Sequence, residues 1–223
     1  MRVLAFGFKK RKIRKFIFSI FLLTFIVGFR TYPEIARWRV NTGTPKLWVR
    51  FCDRTTITND DLPAGDPVKG QALNFDVLTQ SVLTDYNNIV TSYLRLYDAD
   101  TDSTFASSDS TNRIITVCYG DVQVGHNGSS SREARNGLME KCHITLSKEL
   151  KTSAKSFVMT FTHELGHCLG LDHPQDTNYS IMSYFRTINR LQPDDKMGIT
   201  YLYATHPSYA EEAATFGLSC RGR

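Results

Sequence analysis

The chain has 223 residues, 41% of them hydrophobic and 22% charged, with 27 Lys and Arg against 22 Asp and Glu for a formal net charge of +5. That composition excludes collagen-like, largely disordered and multi-span membrane proteins, and the length suits one domain with a buried core. A positive balance would indicate a nucleic-acid partner only if the cations clustered on the folded surface.

They cluster at the start of the chain instead. Residues 1–30 hold eight basic side chains (Arg2, Lys9, Lys10, Arg11, Lys12, Arg14, Lys15 and Arg30) and no acidic one, while residues 31–223 carry 19 against 22, a net charge of −3. The uncharged run Phe16–Phe29 follows the cluster. A positive segment followed by an apolar one is the layout of an export signal. As a helix the run would cover about 21 Å, short of a ~30 Å hydrocarbon core. Ile26-x-Gly28 and Glu34-x-Ala36 are both poor cleavage sites, so the segment reads either as a signal that is cut or as an uncleaved signal anchor. Either way the body is expected outside the cytosol: secreted, periplasmic or extracellular, and tethered to a membrane if the segment is kept.

Residues 31–45, with Pro33, Gly43 and Pro45, read as a spacer. Lys46–Cys52 alternates as a strand does, and residues 53–70 are rich in turn formers. Leu73, Val77, Leu78, Val82, Tyr86, Ile89 and Tyr93 recur at three- and four-residue steps, the stripe of an amphipathic helix. Short strands are expected at 93–97, 113–119 and 142–146. Between the first two, Asp98–Asp109 carries carboxylates at alternate positions. It lacks the glycine at its sixth position (Ser103) and the closing glutamate of a calcium loop, so it reads as a solvated surface loop. Structural calcium has no support in these residues. Of the five cysteines (52, 118, 142, 168 and 220), an odd count leaves at least one thiol unpaired. Cys118 and Cys142 lie in strand-like runs that suit pairing across a sheet, whereas Cys168, inside a helix, reads as a small buried hydrophobe. The pairing itself does not follow from sequence. Asn127-Gly-Ser129 and Asn178-Tyr-Ser180 are glycosylation sequons in a eukaryotic secretory host.

A helix is expected over 153–170, with Thr152 or Ser153 at its start and Phe157, Val158, Phe161, Leu165 and Cys168 on its apolar face. Within it stands His163-Glu164-Leu165-Gly166-His167. Histidines at i and i+4 project from one face and can share a metal ion, and Glu164 beside them can take a proton from water on that metal without being a ligand. On a continued helix, six residues past His167 means a rotation of about 600° and a rise of about 9 Å, which would aim His173 away. Gly170 can adopt the left-handed conformation that ends a helix and turns the chain back, so His173 becomes the third ligand. Three protein ligands and an open fourth position are the arrangement of a catalytic zinc. With 6 histidines and 14 glycines in the chain, chance placement of the whole pattern is on the order of 10⁻⁵. A last helix is expected from Pro193-Asp194-Asp195, where proline and two carboxylates suit a helix start.

His163-Glu-Leu-Gly-His-Cys-Leu-Gly-Leu-Asp-His173 resembles the zinc signature of the metzincin metallopeptidases, and Ser180-Ile-Met182-Ser-Tyr184 resembles their Met-turn. His173-Pro174 and the Met-turn are most similar to the serralysin branch, and Leu191–Tyr203 resembles the last catalytic-domain helix of serralysins and matrixins. The resemblance implies an α+β fold: a twisted, mostly parallel sheet with one antiparallel edge strand, two long helices and a C-terminal subdomain with a final helix. With the leader and spacer read above, the domains expected are 1–30 (signal or anchor), 31–45 (spacer), 46–205 (catalytic) and 206–223 (tail). Met182 would floor the metal site, and Tyr184 would hydrogen-bond the tetrahedral intermediate. Tyr184–Arg190 would wall the pocket after the scissile bond, and Arg186 and Arg190 there read as solvated cations, with a preference for acidic or polar substrates as the alternative. His126 and His143 are the sole candidates for the structural zinc of matrixins, which is not carried over, and the cysteine-switch prodomain and glycine-rich calcium repeats are missing.

The expectation is an exported zinc-dependent endopeptidase with one catalytic Zn²⁺ that hydrolyses peptide bonds through a zinc-activated water. His163, His167 and His173 would be the ligands, Glu164 and Tyr184 the catalytic residues, and Gly170 and Met182 the structural residues near the site. Its partner would be an extended polypeptide lying along an edge strand; a monomer without nucleic-acid binding is expected. The alternative is a catalytically idle zinc-containing binding or adhesion module displayed at the membrane.

Overall fold

The structure, a computed structural model, describes residues 30–32, 36–105, 113–174, 179–184 and 188–216. The expected leader apart from Arg30, as well as Arg186, Cys220 and Asn178 of the second sequon, lie outside the described residues. In chain order the elements are β1 (Arg30–Thr31), β2 (Arg37–Trp38), β3 (Lys46–Phe51), β4 (Ile57–Thr58), β5 (Ala72–Leu73), α1 (Phe75–Asn87) and β6 (Arg95–Asp98). Then come β7 (Ile114–Gly120), β8 (Gly128–Arg135), β9 (Leu138–Ser147), α2 (Ala154–Cys168), β10 (Leu171–Asp172), α3 (Pro193–Tyr203) and α4 (Pro207–Phe216).

The main sheet is mostly parallel. Strands run in the order β6-β3-β7-β9, with β2 joining the start of β9 in parallel and β8 lying antiparallel along β9. Leu47, Val49 and Phe51 alternate toward the helices, as a half-buried strand requires. Phe51 meets Phe75 of α1 at 5.0 Å and Phe161 of α2 at 5.4 Å between ring centroids, edge to face. These rings join the sheet to both helices, and each fully buried side chain contributes roughly 1.5–3 kcal/mol. Trp48 points to the other face, against Phe105.

Helix α1 is shorter than its apolar stripe. Asn74 caps it through the Asp76 and Val77 amides, and it ends at Asn87. Val77 is exposed, while Ile89 and Tyr93 belong to the following loop. Asn87 ends the helix productively: its amide both donates to and accepts from the Leu96 backbone in β6, at 2.8 and 2.7 Å.

Four expectations need correcting. The spacer is part of the body: Trp38 of β2 is buried, its indole donates to the Cys168 carbonyl at 2.8 Å, and its backbone N–H donates to the Tyr203 hydroxyl. The tail carries helix α4. The cysteines pair as Cys52–Cys118 and Cys142–Cys168, not Cys118 with Cys142. Cys118 and Cys142 sit on neighbouring strands, but Cys118 lies opposite Thr145, so register separates them. Cys168 is buried, as a small hydrophobe would be, but as a disulfide partner. Finally, the polar loop is not wholly solvated, because Asp98 is buried and accepts two hydrogen bonds from Arg54, at 2.9 and 2.7 Å. Burial of a carboxylate is tolerated only with such a partner.

Candidate metal centre

Helix α2 starts at Ser153, whose hydroxyl accepts from the Ser156 amide. Its inner face buries Phe157, Phe161 and Leu165, which leaves the turn His163–His167 facing a cleft of ≈ 510 Å³. The helix ends at Cys168, and Gly170 has φ +102°. A Cβ there would lie 2.6 Å from the Ala36 carbonyl oxygen, so the turn needs glycine for both conformation and space. Two residues of β10 then lead to His173.

The turn does what the helix could not. His173 Nε2 lies 3.1 Å from His163 Nε2 and 3.2 Å from His167 Nε2. The Nδ1 atoms of the first two face carbonyl oxygens, His163 toward Ile181 at 2.7 Å and His167 toward Leu171 at 2.9 Å. A carbonyl only accepts, so both Nδ1 atoms carry the proton and both Nε2 lone pairs face inward. Tetrahedral zinc with Zn–N of about 2.0–2.1 Å separates its ligand nitrogens by about 3.3 Å. The donor set therefore fits zinc. Among the described residues this is the sole group of three or more His, Cys, Asp or Glu side chains close enough to share an ion. His126 lines the same cleft without joining the cluster, and His143 is exposed on β9.

Glu164 lines the cleft and is 5% exposed. Edge strand β8 crosses directly over it at Gly128, where a Cβ would stand 2.7 Å from Thr160 Cγ2 and 3.0 Å from Glu164 Cγ. Met182 is buried under α2, its sulfur occupying the space a side chain at residue 166 would need, so Gly166 of the signature makes room for the Met-turn. Tyr184 is 66% exposed and stacks on the His173 ring at 3.9 Å between centroids. Arg190 is turned away, donating to Asp85 of α1 through Nε and Nη2.

Two contributors were missed from sequence. Asp195, read only as a helix-start carboxylate, accepts from the Ser180 hydroxyl, from the Ile181 amide at 3.0 Å and from the Gln192 amide at 2.8 Å. It thereby fixes the turn whose Ile181 carbonyl orients His163. Burial pushes its carboxyl above the ordinary value in spite of these donors. The other is Tyr32, whose hydroxyl lies 2.8 Å from His167 Nδ1 and whose ring carries the Arg132 guanidinium at 3.1 Å. No sequence pattern marks it.

Three imidazoles, two of them on a helix crossed by an edge strand, converge beside a buried carboxylate, an arrangement compatible with a metal site that keeps an open position. The matrixin family model matches residues 70–204, and the chain belongs to that family. No curated protein matches the sequence. Solved structures with some likeness include the GM1-bound form of the ECX AB5 holotoxin, at 14% identity over 78% of this chain and 91% of that one, with a TM-score of 0.46. Another is a chaperone–substrate complex, at 14% identity over 83% of this chain and 35% of that one, with a TM-score of 0.35. At those scores neither bears on substrate or partner.

Proposed function

We propose that the protein is an exported zinc endopeptidase of serralysin-like character. The observation that carries this reading is the convergence of three histidine Nε2 atoms beside Glu164 on one wall of an open cleft. Zinc held by His163, His167 and His173 would supply a Lewis acid that polarises the scissile carbonyl and acidifies water. Glu164 takes the proton from the attacking water and returns it to the departing amine. Tyr184, stacked on the third histidine, donates its hydroxyl to charge developing on the carbonyl oxygen. The substrate lies extended along β8, whose Gly128, Ser129 and Ser130 line the cleft opposite the histidines. Met182 supports the helix beneath. Export is supported by the basic, then apolar, layout of residues 1–30. Among the described residues no helix is long and apolar enough to cross a membrane.

The test is hydrolysis of a peptide library by zinc-loaded protein, alongside Glu164→Gln. Wild type should cleave, and the variant should bind zinc equally while losing about 10²–10⁴-fold in kcat/KM. Equal zinc binding with no cleavage by either protein would establish the idle binding module instead.

A further inference from the structure

We propose that Tyr32 is a positioning residue for His167, so that strand β1, which begins at the last residue of the leader segment, completes the metal centre. The inference rests on the zinc reading of the three histidines. With Nε2 of His167 turned to its partner histidine, the ring's one proton is on Nδ1, and two oxygens lie within reach of it: the Leu171 carbonyl at 2.9 Å and the Tyr32 hydroxyl at 2.8 Å. The Leu171 carbonyl belongs to the same turn as His167 and moves with it. Tyr32 reaches the ring from 135 residues away, pinned partly to that same turn and partly, through Arg132, to β8.

Three contacts hold it there. β1 pairs antiparallel with β10 in the register Arg30↔Asp172 and Thr31↔Leu171. The Tyr32 amide donates to the Gly170 carbonyl at 3.4 Å, and Arg132 of β8 covers the outer face of the ring. The phenol oxygen is thus an acceptor supplied by one element to an imidazole on another, and the two acceptors together set the ring's tilt. An acceptor on Nδ1–H makes Nε2 a better donor to a metal, and loss of such a partner weakens metal affinity by about 10–100-fold. β1 also pairs with the strand that leads into His173, so the same short segment steadies two of the three ligands.

The test compares full-length wild type, Tyr32→Phe and Tyr32→Ala in zinc titrations against a chromogenic chelator, with urea unfolding of the metal-free proteins as the structural control. Tyr32→Phe keeps the ring beneath Arg132 and removes only the hydroxyl. It should weaken zinc binding by at least about tenfold with the metal-free unfolding midpoint unchanged. The Nδ1–H resonance of His167 in the zinc-loaded protein should shift as well. Tyr32→Ala should weaken zinc at least as much. Zinc affinity of Tyr32→Phe within about twofold of wild type, or a loss confined to Tyr32→Ala, would overturn the hydroxyl's role. A wild type that takes up no zinc would instead refute the zinc reading and this inference with it.

Discussion

Adding one methyl group at Gly128 should disable the site without touching a histidine. The Cβ of Gly128→Ala would stand 2.7 Å from Thr160 Cγ2, 3.0 Å from Glu164 Cγ and 3.2 Å from Glu164 Oε1. Carbon atoms pack at about 3.5–4.0 Å, so the shortfall is roughly 0.5–1 Å. Either β8 lifts away from α2 or Thr160 and Glu164 must both give way. Such overpacking costs about 1–3 kcal/mol of stability, and a catalytic group displaced by about 1 Å loses on the order of 10²-fold in rate. The assay is kcat/KM on a fluorogenic peptide, with zinc content and urea unfolding measured on the same preparation. The expected result is a fall of about 100-fold in kcat/KM at full zinc occupancy. A folded, zinc-loaded Gly128→Ala within about threefold of wild type would refute the claim that β8 positions Glu164 through this contact.

Two further outcomes follow from other parts of the fold. The Cys142–Cys168 bridge closes a loop of 26 residues, for which chain entropy gives about 3.5 kcal/mol, so Cys142→Ser with Cys168→Ser should unfold at correspondingly lower urea; a change below about 1 kcal/mol would sink that account. Because burial raises the Asp195 pKa, the folded state holds that proton more tightly than the unfolded chain does. Its contribution to stability is full below the ordinary carboxylate value and is lost as pH rises through the raised one. A carbon-13 carboxyl titration should place its midpoint above that ordinary value, and a midpoint below it would be the contrary result.

What could be read in advance was what the chain encodes locally. The three clustered histidines are spaced by one helix and one glycine turn, so helical geometry alone placed His163 and His167 together and required Gly170 to bring His173 back. Ser153, Pro193 and the stripe of α1 are likewise local signals. Strand β8 was missed because Gly128–Arg135 is an edge strand with little buried on either face, so its side chains show no apolar alternation. The clue lay after it: Asn136 and Gly137 both have positive φ, the hairpin signature of an Asn-Gly pair. Trp38 and Tyr32 were assigned to a spacer because their partners stand more than a hundred residues away, and cysteine pairing depended on a sheet register that composition does not carry.

The pairing of β1 with β10 also bears on what happens to the leader. A cut after Ala36 would remove both residues of β1 together with Tyr32, whereas a cut after Gly28 spares them, so a mature enzyme would have to begin ahead of Arg30. If the apolar segment instead stays in a bilayer, only two residues separate its last phenylalanine, Phe29, from Tyr32 in the cleft wall. Extended chain spans that gap in about 10 Å. The active face would then ride at the lipid headgroups, and the enzyme would work on polypeptide segments lying close against the membrane surface.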